Sequence, residues 1–169
     1  MQRPNYLSKK QLVDFSGEHL YYEIWMLYGV TQLLLNGVKN QYLFNTCLES
    51  FVVHASNILD FFYKPLLQPD DAKAIHFMDE EQAEQWQALL PSYSHHFKRF
   101  NRKRNKEVMH LSYKRLEVKP QEKPWGVKGI AEHIEELVNQ FLRLANPTYI
   151  HPKMYELQTR HNLKESGSH

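Results

Sequence analysis

The chain has 169 residues, 24% charged and 13% aromatic, with 6 Gly and a formal net charge of +2. That length fits one domain with a real core, and the composition excludes a disordered chain and a uniformly basic nucleic-acid binder, though not a local basic patch. A single cysteine, Cys47, excludes an internal disulfide; among Leu43, Leu48 and Phe51 it reads as a small packed hydrophobe in a reducing, cytoplasmic setting.

The segment MQRPNYLSKKQ lacks an apolar core, so no signal peptide is expected. Apolar residues then recur at helical spacing. Leu20, Ile24, Leu27 and Leu34 stripe a first long helix that can start at Ser8, where Ser8 and Gln11 have capping-box spacing. Asn36-Gly37 ends it. The uncharged run Ile24–Val38 is 15 residues and contains Gln32 and Asn36, too short and polar for a span of about 20 apolar residues, so no membrane contact is expected. A second helix is predicted from about Gln41 to Tyr63, with Leu43, Cys47, Phe51, His54, Ile58 and Phe61 inward. The short connection makes the two helices antiparallel neighbours. His54, with Ser50 and Asn57 beside it, forms a polar seam that needs partners.

Pro65 and Pro69-Asp70-Asp71 break the pattern, and residues 64–78 read as a loosely ordered loop. Asp79 and Gln82 cap a short helix bearing Ala83, Trp86 and Leu90, which Pro91 is expected to end. Ser92 then caps a further helix carrying Tyr93, Phe97, Phe100, Arg104, Val108 and Leu111. After a loop at 116–124, a last large helix runs from about Trp125 to Ala145 with Ile130, Ile134, Leu137, Phe141 and Leu144 on one face. A minor helix is expected near 152–162. The reading is an all-α, up-and-down bundle of four to five main helices over residues 1–163, with ESGSH in a disordered tail at 164–169.

No acid occurs from Gln85 to Lys106, and Lys98, Arg99, Arg102, Lys103, Arg104 and Lys106 crowd that stretch. Asp79, Glu80, Glu81 and Glu84 lie just before it. The asymmetry fits either a solvated face or one that attracts a polyanion, with Arg102, Lys103 and Lys106 as phosphate contacts. Tyr93, Phe97 and Phe100 have the spacing of a core stripe, and base stacking is the rival use. Arg104 continues that stripe where an apolar residue belongs. Either it snorkels outward or it is held inward beside a partner, where its planar fork suits a phosphate. Six residues on, His110 points about 120° away on a straight α-helix, so the two converge only if the helix breaks or a second copy completes the site.

The phrase RNKEVMH resembles the signature of the HEPN superfamily of small α-helical proteins: an Arg, a polar residue, and a His after four to six residues. Arg104, Asn105 and His110 match it in order, with five residues between Arg and His. NKEVMHLSYKRL and LESFVVHASNILDFFY are similar to stretches of HEPN-like bacterial proteins. The resemblance implies metal-independent RNA cleavage at a homodimer cleft. His110 then moves the proton, Arg104 holds the scissile phosphate, and Asn105 orients the phosphate or the His. It also implies an antitoxin-type protein partner. Tyr113 is expected to be a core or interface residue. No cofactor and no metal are expected, since Glu107 with His110 is an isolated i, i+3 pair and no Cys-pair, Gly-rich or Ser-elbow motif occurs. Two rival readings remain: a non-catalytic helical interaction module, and a small-molecule binder with a closed pocket of Trp25, Tyr28, Phe61 and Phe62.

Overall fold

The computed structural model describes residues 7–63, 70–109, 113–119, 121 and 124–159, without the side chains of 91–97, 109, 114, 158 and 159. Among these, every regular segment is helical and the architecture is an all-α bundle. No helix among them is long and apolar enough to cross a membrane.

Helix α1 is Lys9–Phe15, opened by Ser8. The Ser8 Oγ accepts the Gln11 N–H at 3.2 Å, and the Gln11 Oε1 accepts the Ser8 N–H at 2.9 Å, the reciprocal box expected from the spacing. The helix does not run on as a uniform α-helix. Residues Ser16–Leu20 form a π turn before α2, Tyr21–Leu35. Gly17 sits in that turn because the chain crosses it closely: a Cβ there would lie 2.6 Å from the His151 ring. Ser16 Oγ accepts the His151 N–H at 2.8 Å. Asn36 then caps α2, and Gly37 takes the left-handed φ of 84° that an L side chain disfavours.

Helix α3, Gln41–Tyr63, matches the sequence expectation end to end. Asn40 caps it, its Oδ1 accepting the Leu43 N–H at 3.0 Å. Its contacts with α2 pair the start of one helix with the end of the other, as in an antiparallel hairpin. The inner stripe from Cys47 to Phe61 is buried, but Leu43 is exposed because it lies in the first turn, beyond the reach of neighbouring helices.

The described end of the stretch expected as a loose loop at 64–78 corrects that expectation; residues 64–69 lie outside the described residues. Ala74–Phe77 is a 3₁₀ turn, and Ala74, His76, Phe77 and Met78 are buried. Helix α4 is Glu80–Arg104 and runs through Pro91, so the two helices expected on either side of that proline are one. Burial of Trp86 before it and Phe100 after it holds the helix across the missing hydrogen bond. Helix α5, Val127–Leu144, packs on α2, α3 and α4, with Ile134, Leu137 and Phe141 fully enclosed. A 3₁₀ turn, Pro152–Tyr155, leads into the short α6, Glu156–Thr159.

The core centres on Phe141. Its ring meets Phe61 at 5.5 Å, Phe62 at 5.8 Å, Phe77 at 5.9 Å and Trp86 at 6.3 Å, mostly edge to face. Phe61 and Phe62 are therefore core residues, and so is Tyr28. Trp25 is half exposed, so the closed aromatic pocket expected from these four residues is not formed. Cys47 packs inside as expected. Tyr113 is 91% exposed, which removes it from the core of this chain.

Candidate functional site

The charges of α4 follow its dipole. Glu80 and Glu81 occupy the first turn and Arg102, Lys103 and Arg104 the last, each sign placed where the helix end favours it. Part of the asymmetry read from sequence therefore has a structural cause.

Arg104 is held inward, with 15% of its side chain exposed. Its Nη1 donates to Ser56 Oγ and reaches Asp60 Oδ2 at 3.5 Å, both on α3. Its Nε donates to Asn105 Oδ1 at 3.3 Å. Nη2 donates to no described residue. Of the two readings of the misplaced arginine, the inward one holds: a guanidinium held by Ser56 and Asp60 of α3.

Directly after Arg104 the α-helical ladder stops. Asn105–Met109 form a π turn, a local distortion that recurs at functional sites. The α-helical step that sets positions 104 and 110 about 120° apart does not apply across it. His110 and Leu111 lie outside the described residues. The structure thus joins Arg104 to Asn105, Ser56 and Asp60, and the helix changes from α to π turn at Asn105.

The expected phosphate contacts divide. Lys103 Nζ lies 2.8 Å from both carboxylate oxygens of Glu107 and 4.8 Å over the Trp125 ring. It is a paired cation here and occupies Glu107, the acid paired with His110 in sequence. Arg102 is exposed and Lys106 half-buried, and neither pairs with a described acid. Phe100 is buried edge-on to Trp125 at 6.0 Å, a core residue rather than a stacking surface. The side chains of Tyr93 and Phe97 lie outside the described residues.

The polar seam of α3 is satisfied by a residue that sequence reasoning missed. His54 Nδ1 lies 2.8 Å from Glu23 Oε2, and Asn57 Nδ2 donates to the same oxygen at 3.1 Å. The signal for Glu23 was an acid inside the apolar stretch of α2. Asp60 was missed likewise; its signal is one turn of spacing from Ser56 on an otherwise apolar end of α3. Both acids line a cleft of about 390 Å³ with Phe15, Phe61, Asp71 and Lys73. A second, shallower groove of about 550 Å³ is bounded by Tyr21, Tyr22, Trp25 and Lys153, whose Nζ sits 3.9 Å above the Tyr21 ring. Among the described residues no three His, Cys, Asp or Glu side chains gather as a metal set.

Comparison of the chain with protein-family models, with curated proteins and with solved structures gives no match.

Proposed function

We propose that this chain is a HEPN-like helical protein of the cytoplasm that binds RNA as a homodimer and cleaves it without a metal ion. The reading is supported by Arg104. Ser56 and Asp60 fix its guanidinium through Nη1, its Nη2 donates to no described residue, and the helix leaves α-geometry at the next residue. A guanidinium fixed in this way offers an N–H to a phosphate without having to be ordered first. In the reaction Arg104 holds the scissile phosphate and offsets charge on its oxygens. Asn105 orients the phosphate or the imidazole. His110 takes the proton of a ribose 2′-hydroxyl or gives one to the leaving oxygen, a role suited to a group that titrates near neutrality. Arg102 and Lys106 supply salt-dependent attraction to the strand. An antitoxin-type protein is the partner this reading carries with it.

The test is cleavage of a single-stranded RNA in excess chelator. His110→Ala and Arg104→Ala are each expected to lower the rate by about a hundredfold or more, with the helical circular dichroism unchanged. Wild-type protein that leaves every RNA intact, or a His110→Ala protein that cuts as fast as wild type, overturns the nuclease.

A second reading is an interaction module without catalysis. Leu33, Leu35, Tyr42, Leu43 and Val53 are exposed on α2 and α3 and favour a protein contact there. The module predicts no cleavage, and salt-sensitive RNA binding that is lost when Arg102, Lys103 and Lys106 are neutralised.

A further inference from the structure

We propose that the outer face of α2 is where two copies of this chain meet, their helices crossing antiparallel at Gly29. Among the 15 residues of α2, Glu23 is the single charge, and its carboxylate is turned to α3, where His54 and Asn57 hold it. The inner face carries Ile24, Leu27, Tyr28, Thr31 and Leu34, all buried. The opposite face is apolar as well: Tyr22 is 49% exposed, Trp25 48% and Leu33 54%. At about 100° per residue these three and Gly29 fall within about 80° of arc, one stripe along the helix. A helix apolar on all sides belongs in an interior. Among the described residues only the inner side of α2 is covered.

Gly29 stands in the middle of the stripe. A glycine inside a helix is less stable there than an alanine. Nothing in the protomer asks for one: a Cβ at Gly29 would meet nothing within 4 Å among the described residues, its own helix backbone aside. A bare Cα admits a second backbone at close range. The stripe is also its own complement. Trp25 lies four residues before Gly29 and Leu33 four after. A two-fold axis through Gly29 therefore sets Trp25 of each copy against Leu33 of the other, the reciprocal contact of an isologous dimer. No cation lies on the stripe, so an RNA phosphate finds no partner there. Helix α3 widens the face. Tyr42 and Val53, 86% and 44% exposed, share its outer stripe, and the Tyr22 ring meets His54 edge-on at 5.7 Å where the two helices adjoin. With about 150–250 Å² to a whole aromatic side chain, the exposed parts of Tyr22, Trp25, Leu33, Tyr42 and Val53 amount to apolar surface on the order of 500 Å². That is the apolar share of a homodimer interface with about 800 Å² from each partner. The α2 interface rests on the homodimer of the proposed reading and is independent of cleavage.

Sedimentation equilibrium of the full chain over a wide range of concentrations measures the dimer. Gly29→Gln puts a helix-favouring side chain into open space in the protomer and blocks the crossing in the dimer, and Trp25→Glu buries a charge there. Each is expected to weaken dimerisation about thirtyfold or more, as at an interface hot spot, with the helical circular dichroism unchanged. Should Trp25→Glu lose helix, Gly29→Gln decides alone. Leu116→Glu, on the exposed 3₁₀ turn Tyr113–Glu117, is expected to leave the dimer as it is. Trp25→Lys and Leu33→Glu chains test the register. Alone, each loses both Trp25–Leu33 contacts; mixed, they form a heterodimer with one opposite-charge contact and one native contact. The mixture is expected to associate about tenfold or more tightly than either chain alone. A monomeric wild type overturns this interface and the homodimer together. A dimer that Gly29→Gln leaves intact, a dimer that Leu116→Glu dissolves, or a mixture no tighter than its components overturns the α2 interface alone. RNA left uncut by a dimer that Gly29→Gln dissolves ends the nuclease and leaves the interface standing.

Discussion

Arg104 and Glu23 show how single residues organise the centre of this molecule. Each is charged, each stands on a helix face that otherwise points inward, and each is met by partners from α3. Ser56 and Asp60 take the cation; His54 and Asn57 take the anion. A group left alone in such a place costs about 1–3 kcal/mol or more, which is why the pairs are there. Tyr28 is different, since what surrounds it acts on its proton. Burial, and then the charge of Glu135, push the phenol well above its ordinary range. Below a pH of about 10 the phenol is neutral in both folded and unfolded chains, and its full contribution to stability is present. Above that, the unfolded chain gives up the proton and the folded one keeps it, so stability is lost as pH rises through the folded value. Urea midpoints at about pH 9 and pH 11 should therefore fall further in wild type than in Tyr28→Phe.

At the level of elements, α4 carries a proline eleven residues past its first. Pro91 has no N–H to donate to the preceding turn, and an interior proline costs about 3 kcal/mol. Pro91→Ala is expected to stabilise the chain by about 1–3 kcal/mol, a melting shift of about 2–4 °C for each kcal/mol at this size. A thermal melt checks it, and a fall in the melting point would show that the proline suits its place in the helix. Element boundaries were legible wherever a local device set them. Ser8 with Gln11, Asn36-Gly37 and Asp79 with Gln82 are all chemistry within four residues, and the structure uses each. Pro91 was over-read because its local effect is real but smaller than the burial of Trp86 and Phe100 on either side. The π turns were not legible, since one extra residue in a turn leaves the apolar spacing nearly intact. What drives the first of them, the approach of His151 to Gly17, lies 134 positions along the chain. The site was legible by the same measure. Arg104 stood out as a charge on a core stripe, whereas nothing local ties it to Asp60, its partner 44 residues away.

Across the whole molecule, stability gathers at one place. Phe141 is fully enclosed and its ring touches aromatic side chains from α3, from the 3₁₀ turn before α4 and from α4 itself. Phe141→Ala removes contacts to all of them at once and is expected to cost about 3–5 kcal/mol, read as a lowered urea midpoint. Against a typical total of about 5–15 kcal/mol that is a large share. Two charged surfaces meet beside the aromatic centre, where Arg104 reaches Asp60. The α3 seam and its cleft face acids outward, and the end of α4 presents cations.

The clasp between Ser16 and His151 sets an order of events during synthesis. The first π turn leaves the ribosome well before the backbone N–H of His151 that bonds to it, which lies 135 residues further along. Until residue 151 is out, the Gly17 surface lacks the ring that packs on it, so a nascent chain holds α1 and α2 unlatched while the more than one hundred residues between are made.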